Sequence, residues 1–309
     1  MGCPDWPACF GRWVPPTSLE ELPQNYREFY STYRHQKNER FAVYLRALGF
    51  DETADALLND PAVRVEPVFN PLKTWTEYVN RLVGVGVGIC IILVFASSLR
   101  LWKTHRGITL WSAAALVLVI FQGWIGSIVV STNLTPWVIT VHMLIALALV
   151  ALLIYLWVIS SERASPYKEN TSLRSWLIIS MIFLLIQVVL GTQVREAIDA
   201  AVAMAVPRED WTSQAGVTFL IHRSFSWAVL LVHGIAWLKL RKEAEFRSFR
   251  IPFILLLLSA LITGAGMGWF AVPAWLQPLH LLLATLTFGI QSMLIMQISS
   301  GKTQKQFPI

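Results

Sequence analysis

The stretch Trp75-Thr76-Glu77-Tyr78-Val79-Asn80-Arg81 opens the first long apolar run of the chain and decides how the rest is read. Leu82 to Phe95 follows without a charged residue. A carboxylate, an amide and a guanidinium therefore stand in the first turns of a segment suited to lipid, where charge is costly and marks function. The same balance holds along the chain, which is 309 residues long, 55% hydrophobic and only 14% charged. Apolar runs of about 20 residues recur, the length that crosses a bilayer, so an all-α integral membrane protein is expected. Seven spans are expected at roughly 77–101, 108–132, 136–160, 175–195, 216–240, 250–270 and 274–298.

Charge in the connections orients these spans. Arg100, Lys103 and Arg106 follow the first, Arg163, Lys168 and Arg174 the third, and Lys239, Arg241, Lys242, Arg247 and Arg250 the fifth. Lys302 and Lys305 lie in the tail. The alternate connections are uncharged or lean acidic. The positive-inside rule places the basic set in the cytoplasm (or matrix) and residues 1–76 on the outer side of the membrane. The net charge of +6 thus sits in short loops and is no nucleic-acid signal.

Residues 1–76 are polar enough to form an outer segment. Ser18-Leu-Glu-Glu21 has the form of a capping box. Beyond it Tyr26, Phe29, Tyr30 and Tyr33, then Phe41, Tyr44, Leu45 and Leu48, keep helical spacing, with a break at Gly49 and a second helix from Asp51. Cys3 and Cys9 are six residues apart in a Pro- and Trp-rich loop. An oxidising compartment permits a disulfide there; two free thiols are the alternative. Cys90 lies in an apolar run and reads as packing.

The pattern repeats at long range. Asn80-Arg81 corresponds to His222-Arg223, Gln122-Gly123 to Thr263-Gly264, and His142 to His280. Two pseudo-symmetric helix-bundle halves follow. His142, His222 and His280 each lie about six residues inside their spans, roughly 9 Å deep, in one slab. One buried histidine in a membrane helix is more often an interhelical hydrogen bond; three at one depth point to ligation. Neither a zinc-type cluster nor a His-Glu-x-x-His motif is present in the sequence. A b-type haem asks only for imidazoles on facing helices and an apolar slot. His222 and His280 meet that demand. In the other half His142 faces Asn80, a poor iron ligand. Arg81, Arg223 and Arg195 suit either haem propionates or lipid phosphates. Glu77, three residues before Asn80, shares its face of the helix and reads as a solvated N-terminal carboxylate or as one beside the first-half haem.

Taken together, Gly2-Cys-Pro-Asp-Trp-Pro-Ala-Cys-Phe-Gly11, Glu77-Tyr-Val-Asn-Arg81, Gln122-Gly-Trp-Ile-Gly126, His142, Leu190-Gly-Thr-Gln-Val-Arg-Glu196, His222-Arg223 and Gln277-Pro-Leu-His280 make the sequence resemble the haem A synthase family of bacterial and mitochondrial inner membranes. The resemblance implies an oxidoreductase that converts the C8 methyl of haem O to a formyl group, with water as oxygen source and a membrane electron acceptor. It implies haem b as cofactor between His222 and His280; Arg223 and Arg195 are the residues placed to meet its propionates. It also implies a substrate haem near His142, Asn80 and Arg81, Glu77 as the catalytic carboxylate, and a Cys3–Cys9 pair. Haem O synthase, terminal-oxidase assembly factors and a second copy of the chain are the partners it suggests.

The family's plan has eight helices, so a helix before Cys3 is expected, supplied by an earlier start codon. The family's usual Glu-Tyr-x-His-Arg reads with Asn80 in place of histidine. The organisation expected is an outer segment over 1–76, a first-half bundle over 77–174 with the substrate site, a second-half four-helix bundle over 175–298 with the haem b site, and a cytoplasmic tail over 299–309. A b-type cytochrome that only passes electrons and a haem carrier or assembly chaperone are the rival readings.

Overall fold

A computed structural model describes residues 2–59, 61, 66, 68–132, 136–161 and 170–303, the side chains of 299–303 excepted. The long elements, in order, are α1 Tyr26–Ala47, α2 Asp51–Asn59, α3 Pro71–Ser98, α4 Arg106–Ser131, α5 Pro136–Ser160, α6 Thr171–Ala203, α7 Gly216–Leu240, α8 Arg247–Trp269 and α9 Leu276–Thr303. No strand occurs among the described residues. The seven helices α3 to α9 are each long and apolar enough to cross a membrane. The basic loop residues Arg163 and Lys168 and the tail residue Lys305 lie outside the described residues.

Two spans depart most from the expected bounds, each for a local reason. The helix α3 starts at Pro71, six residues early. Asn70 caps it by accepting the Lys73 amide at 3.0 Å, and Pro71 fits the first helical position. The helix α6 runs eight residues past 195, to Ala203. Its extra turns bury Ile198 and Ala201 and carry an Arg195–Asp199 pair at 2.8 Å, one turn apart.

The chain forms two compact units, Met1–Ala146 and Leu147–Ile309. In the first, α1 and α2 pack as a hairpin around Ala42, Leu45, Ala54 and Leu57, with Gly49 at φ +82° in the turn. Ser18 and Glu21 shape a short 3₁₀ turn instead of the start of α1: Glu21 accepts the amides of Thr17 and Ser18. Those bonds hold its carboxyl below the usual carboxylate range. The helix α4 lies beside α3 and touches α1.

In the second unit, α6, α7, α8 and α9 close into a ring. The helix α6 neighbours α7 and α9, and α8 neighbours the same two. The helices α7 and α9 therefore stand at opposite corners. One end of the ring is packed by Leu173, Leu177, Leu240, Phe253, Leu294 and Ile298. The other is closed by Val194, Ile198, Ala215 and Val272. Midway, fully buried Gln291 donates to Ser180 Oγ at 2.7 Å and lies 3.1 Å from Nε2 of buried His233. Helices in lipid gain little from apolar burial, so polar links of this kind help to hold them together.

Candidate functional site

Three imidazoles are seated in the same way. In the first unit, Gly126 on α4 faces His142 on α5; a Cβ there would meet the ring carbon Cε1 at 3.6 Å. In the second, a Cβ on Gly191 of α6 would meet Cε1 of His222 on α7 at 3.3 Å, and one on Gly264 of α8 would meet Cε1 of His280 on α9 at 3.1 Å. An added Cβ would be tighter than ordinary contact at Gly191 and Gly264, and in ordinary contact at Gly126.

A polar side chain stands close to each glycine. Gln122 donates its amide to the His142 carbonyl at 2.8 Å, and Gln187 donates to the His222 carbonyl at 3.1 Å. Both glutamines precede their glycine by four residues, one helical turn. Thr263 lies 3.0 Å from Nδ1 of His280. Nδ1 of His142 and Nδ1 of His222 are buried without a hydrogen-bond partner among the described residues, as are Oε1 of Gln122 and of Gln187. A buried ring nitrogen with no partner is expensive unless something else occupies it.

His222 and His280 lie on the opposite-corner helices α7 and α9, close enough to interact electrostatically. Two imidazoles across a bundle diagonal, both set on glycines and one with a buried unpartnered Nδ1, fit a haem held from both faces. At one rim, Arg195 donates to Gln277 Oε1 at 2.5 Å, which ties α6 to the first turn of α9. Arg223 follows His222 and is exposed.

The first unit handles its charged residues differently. Thr74, Glu77, Tyr78 and Arg81 form one stripe of α3, at i, i+3, i+4 and i+7. All four bind the loop 2–13. Glu77 accepts the amides of Gly2 at 2.7 Å and Cys3 at 3.2 Å and pairs with Arg81 at 2.7 Å. Arg81 also donates to the carbonyls of Asp5 at 2.6 Å, Ala8 at 2.9 Å and Cys3 at 3.1 Å. Thr74 donates to the Gly2 carbonyl at 2.8 Å, and Tyr78 to that of Trp13 at 2.5 Å. Cys3 and Cys9 are joined as a disulfide with Cα atoms 4.9 Å apart, closing the ring whose carbonyls converge on the guanidinium. Phe10, beside it, packs edge-on to Tyr26, Tyr30 and Phe69.

The structure therefore brings Glu77 and Arg81 together, and both to the disulfide loop. It brings His222 and His280 together. Asn80 is exposed, off the stripe. Sequence reasoning did not single out Gln187 or pair Gly126 with His142. The repeated Gln-x-x-x-Gly spacing at 122–126 and 187–191 was the available signal.

Seven bilayer-length helices, with imidazoles set against glycines inside them, define a multi-pass membrane protein. The COX15-CtaA family model, described as cytochrome oxidase assembly protein, matches residues 58–292, and the chain belongs to that family. A protein named Heme A synthase from Shewanella oneidensis is 24% identical over 244 residues, covering 76% of this chain and 62% of the relative. The chain thus spans about three fifths of the length of the curated relative it matches. No solved structure matches.

Proposed function

We propose that this protein oxidises the C8 methyl of haem O to a formyl group, the activity of a haem A synthase, in the plasma membrane of a bacterium. The observation that carries this reading is the pair His222 and His280, on opposite corners of one helix ring, each against a glycine. The family and the name of the Shewanella relative support it. In this reading His222 and His280 hold a haem b, which supplies a one-electron relay towards an acceptor in the membrane. Arg195 and Arg223 neutralise its propionates from the rim.

The substrate haem O lies against His142, whose ring is backed by Gly126 and whose helix is held by Gln122. Asn80 leaves that site without a second imidazole. Glu77 supplies a fixed negative charge at the mouth, oriented by two amides and Arg81. It stabilises positive charge that develops at the methyl carbon as electrons leave and water oxygen arrives. The basic loops face the cytoplasm and residues 1–76 the opposite side. Haem O synthase and oxidase assembly factors are the partners such a place in the membrane requires.

One observation favours a second reading, a b-type cytochrome that only passes electrons. Both oxygens of Glu77 are engaged by the protein itself. Expression with a supply of haem O, then pigment extraction and chromatography, separates the two. Haem A in the wild type, lost in Glu77→Ala while the haem b spectrum persists, is the expected result. A protein that binds haem b yet never yields haem A is the cytochrome. Unchanged haem A in Glu77→Ala removes Glu77 from the chemistry.

A further inference from the structure

We propose that Thr263 is a positioning residue that sets the tautomer of His280, keeping the proton on Nδ1 so that Nε2 offers its lone pair to iron. The inference rests on the haem reading above and goes further, because it assigns unequal roles to the two axial imidazoles.

Thr263 lies on α8, is nearly buried, and has three polar neighbours around Oγ1. The Ser259 carbonyl is at 2.9 Å, the Ala260 carbonyl at 3.0 Å and Nδ1 of His280 at 3.0 Å. The hydroxyl has one proton, and carbonyls can only accept. Were that proton aimed at His280, Oγ1 would face two carbonyl oxygens at contact distance with no hydrogen between them. The proton therefore stays on its own helix, the usual habit of a helical threonine. The lone pairs of Oγ1 then face the ring, and Nδ1 must be the donor. A neutral imidazole has a single N–H, so Nε2 is bare.

The next residue completes the arrangement. A Cβ on Gly264 would lie 3.1 Å from Cε1, 3.6 Å from Nδ1 and 3.8 Å from Nε2 of His280, so glycine keeps that edge of the ring clear. His222 has no such partner on Nδ1. Its support comes from Gln187, whose amide holds the backbone carbonyl and lies 3.4 Å from Nε2. A partner on the far nitrogen fixes ring orientation and raises ligand basicity. His280 is thus the oriented, more basic ligand, and His222 the freer one.

Three full-length proteins decide this: wild type, Thr263→Ser and Thr263→Val, purified intact and loaded with haem b. Thr263→Ser should keep the wild-type low-spin ferric electron-paramagnetic-resonance signal and midpoint potential. Thr263→Val, equal in shape but without the hydroxyl, should shift both and weaken haem retention by about 10-fold or more. A Val variant identical to wild type, or a Ser variant that behaves like Val, overturns the proposal. Nitrogen-15 magnetic resonance of histidine-labelled, haem-free protein gives a readout independent of loading. His280 should report a proton on Nδ1, lost as a single defined tautomer in Thr263→Val. A proton on Nε2 overturns the proposal even if haem binds, whereas Nδ1–H in a protein that never takes up haem overturns the haem reading alone.

Discussion

Arg81 pairs with Glu77 at 2.7 Å one helical turn away, and the two together grip the backbone of residues 2–8 from both sides of its polarity. Glu77 takes amide hydrogens while Arg81 fills carbonyls, so the loop is read by its main chain. Arg81→Lys should not substitute, because one ammonium cannot reproduce a planar fork spread over three carbonyls and a carboxylate. Hydrogen bonds to charged groups are worth about 1.5–3 kcal/mol each. Amide hydrogen exchange in residues 2–13 should accelerate by at least tenfold in both Arg81→Lys and Arg81→Gln.

Gly2 meets the backbone of α3 closely. A Cβ there would lie 2.5 Å from Lys73 carbonyl carbon and oxygen and from the Thr74 nitrogen. Gly2→Ala should lift the loop off the stripe and expose the Cys3–Cys9 segment to protease. Gly11→Ala has open space apart from the Tyr30 hydroxyl at 3.5 Å, but its φ of +71° is strained for alanine. It should cost about 1 kcal/mol without detaching the loop.

The three histidine-facing glycines form a graded series. Added methyl groups would stand 3.6 Å from the ring of His142, 3.3 Å from that of His222 and 3.1 Å from that of His280. Alanine at Gly264 should disturb its imidazole most and alanine at Gly126 least. In protein loaded with haem, the low-spin absorption bands should broaden or vanish in Gly264→Ala before they change in Gly126→Ala.

Gln291 should matter for stability and leave the His222–His280 pair untouched. His233 lies eleven residues beyond His222 on α7, about 16 Å along the helix. Gln291→Leu strips a partner from both buried His233 and buried Ser180. Leaving buried polar groups unsatisfied costs about 1–3 kcal/mol each. Thermal unfolding in detergent should fall by several degrees with an unchanged haem spectrum.

Glu66, outside the spans, has its carboxyl raised above the ordinary 4.5 by burial, an effect the paired Arg34 only partly offsets. The folded protein thus holds this proton at pH values where the unfolded chain has released it. Stability from this group is full below the ordinary value and is lost as pH rises through the raised folded value. The melting temperature of wild type relative to Glu66→Gln should therefore decline across that window. Glu66→Ala should be the more damaging change, since glutamine keeps an oxygen that can accept from the buried Arg34 guanidinium and alanine does not.

Much of this was legible in the residues. Seven apolar runs gave seven spans because a bilayer fixes helix length, and His142, His222 and His280 stood out because ionisable groups are rare at that depth. The bounds of α3 were hidden by its polar first turn, where the cap at Asn70 outweighs hydropathy. The burden on Glu77 and Arg81 was hidden for another reason. Their partners are main-chain atoms more than sixty residues earlier, and main-chain atoms leave no mark in a sequence. Gln187 was overlooked because glutamine in an apolar run reads as generic glue until its target is known.

Placing α7 and α9 at opposite corners has a mechanical result. The gap between their imidazoles is set by the girth of α6 and α8, which act as spacers. Bulk added where those spacers meet each other's neighbours would widen or skew the gap without touching either histidine. The distance between the two rings is therefore adjustable from residues that form neither of them.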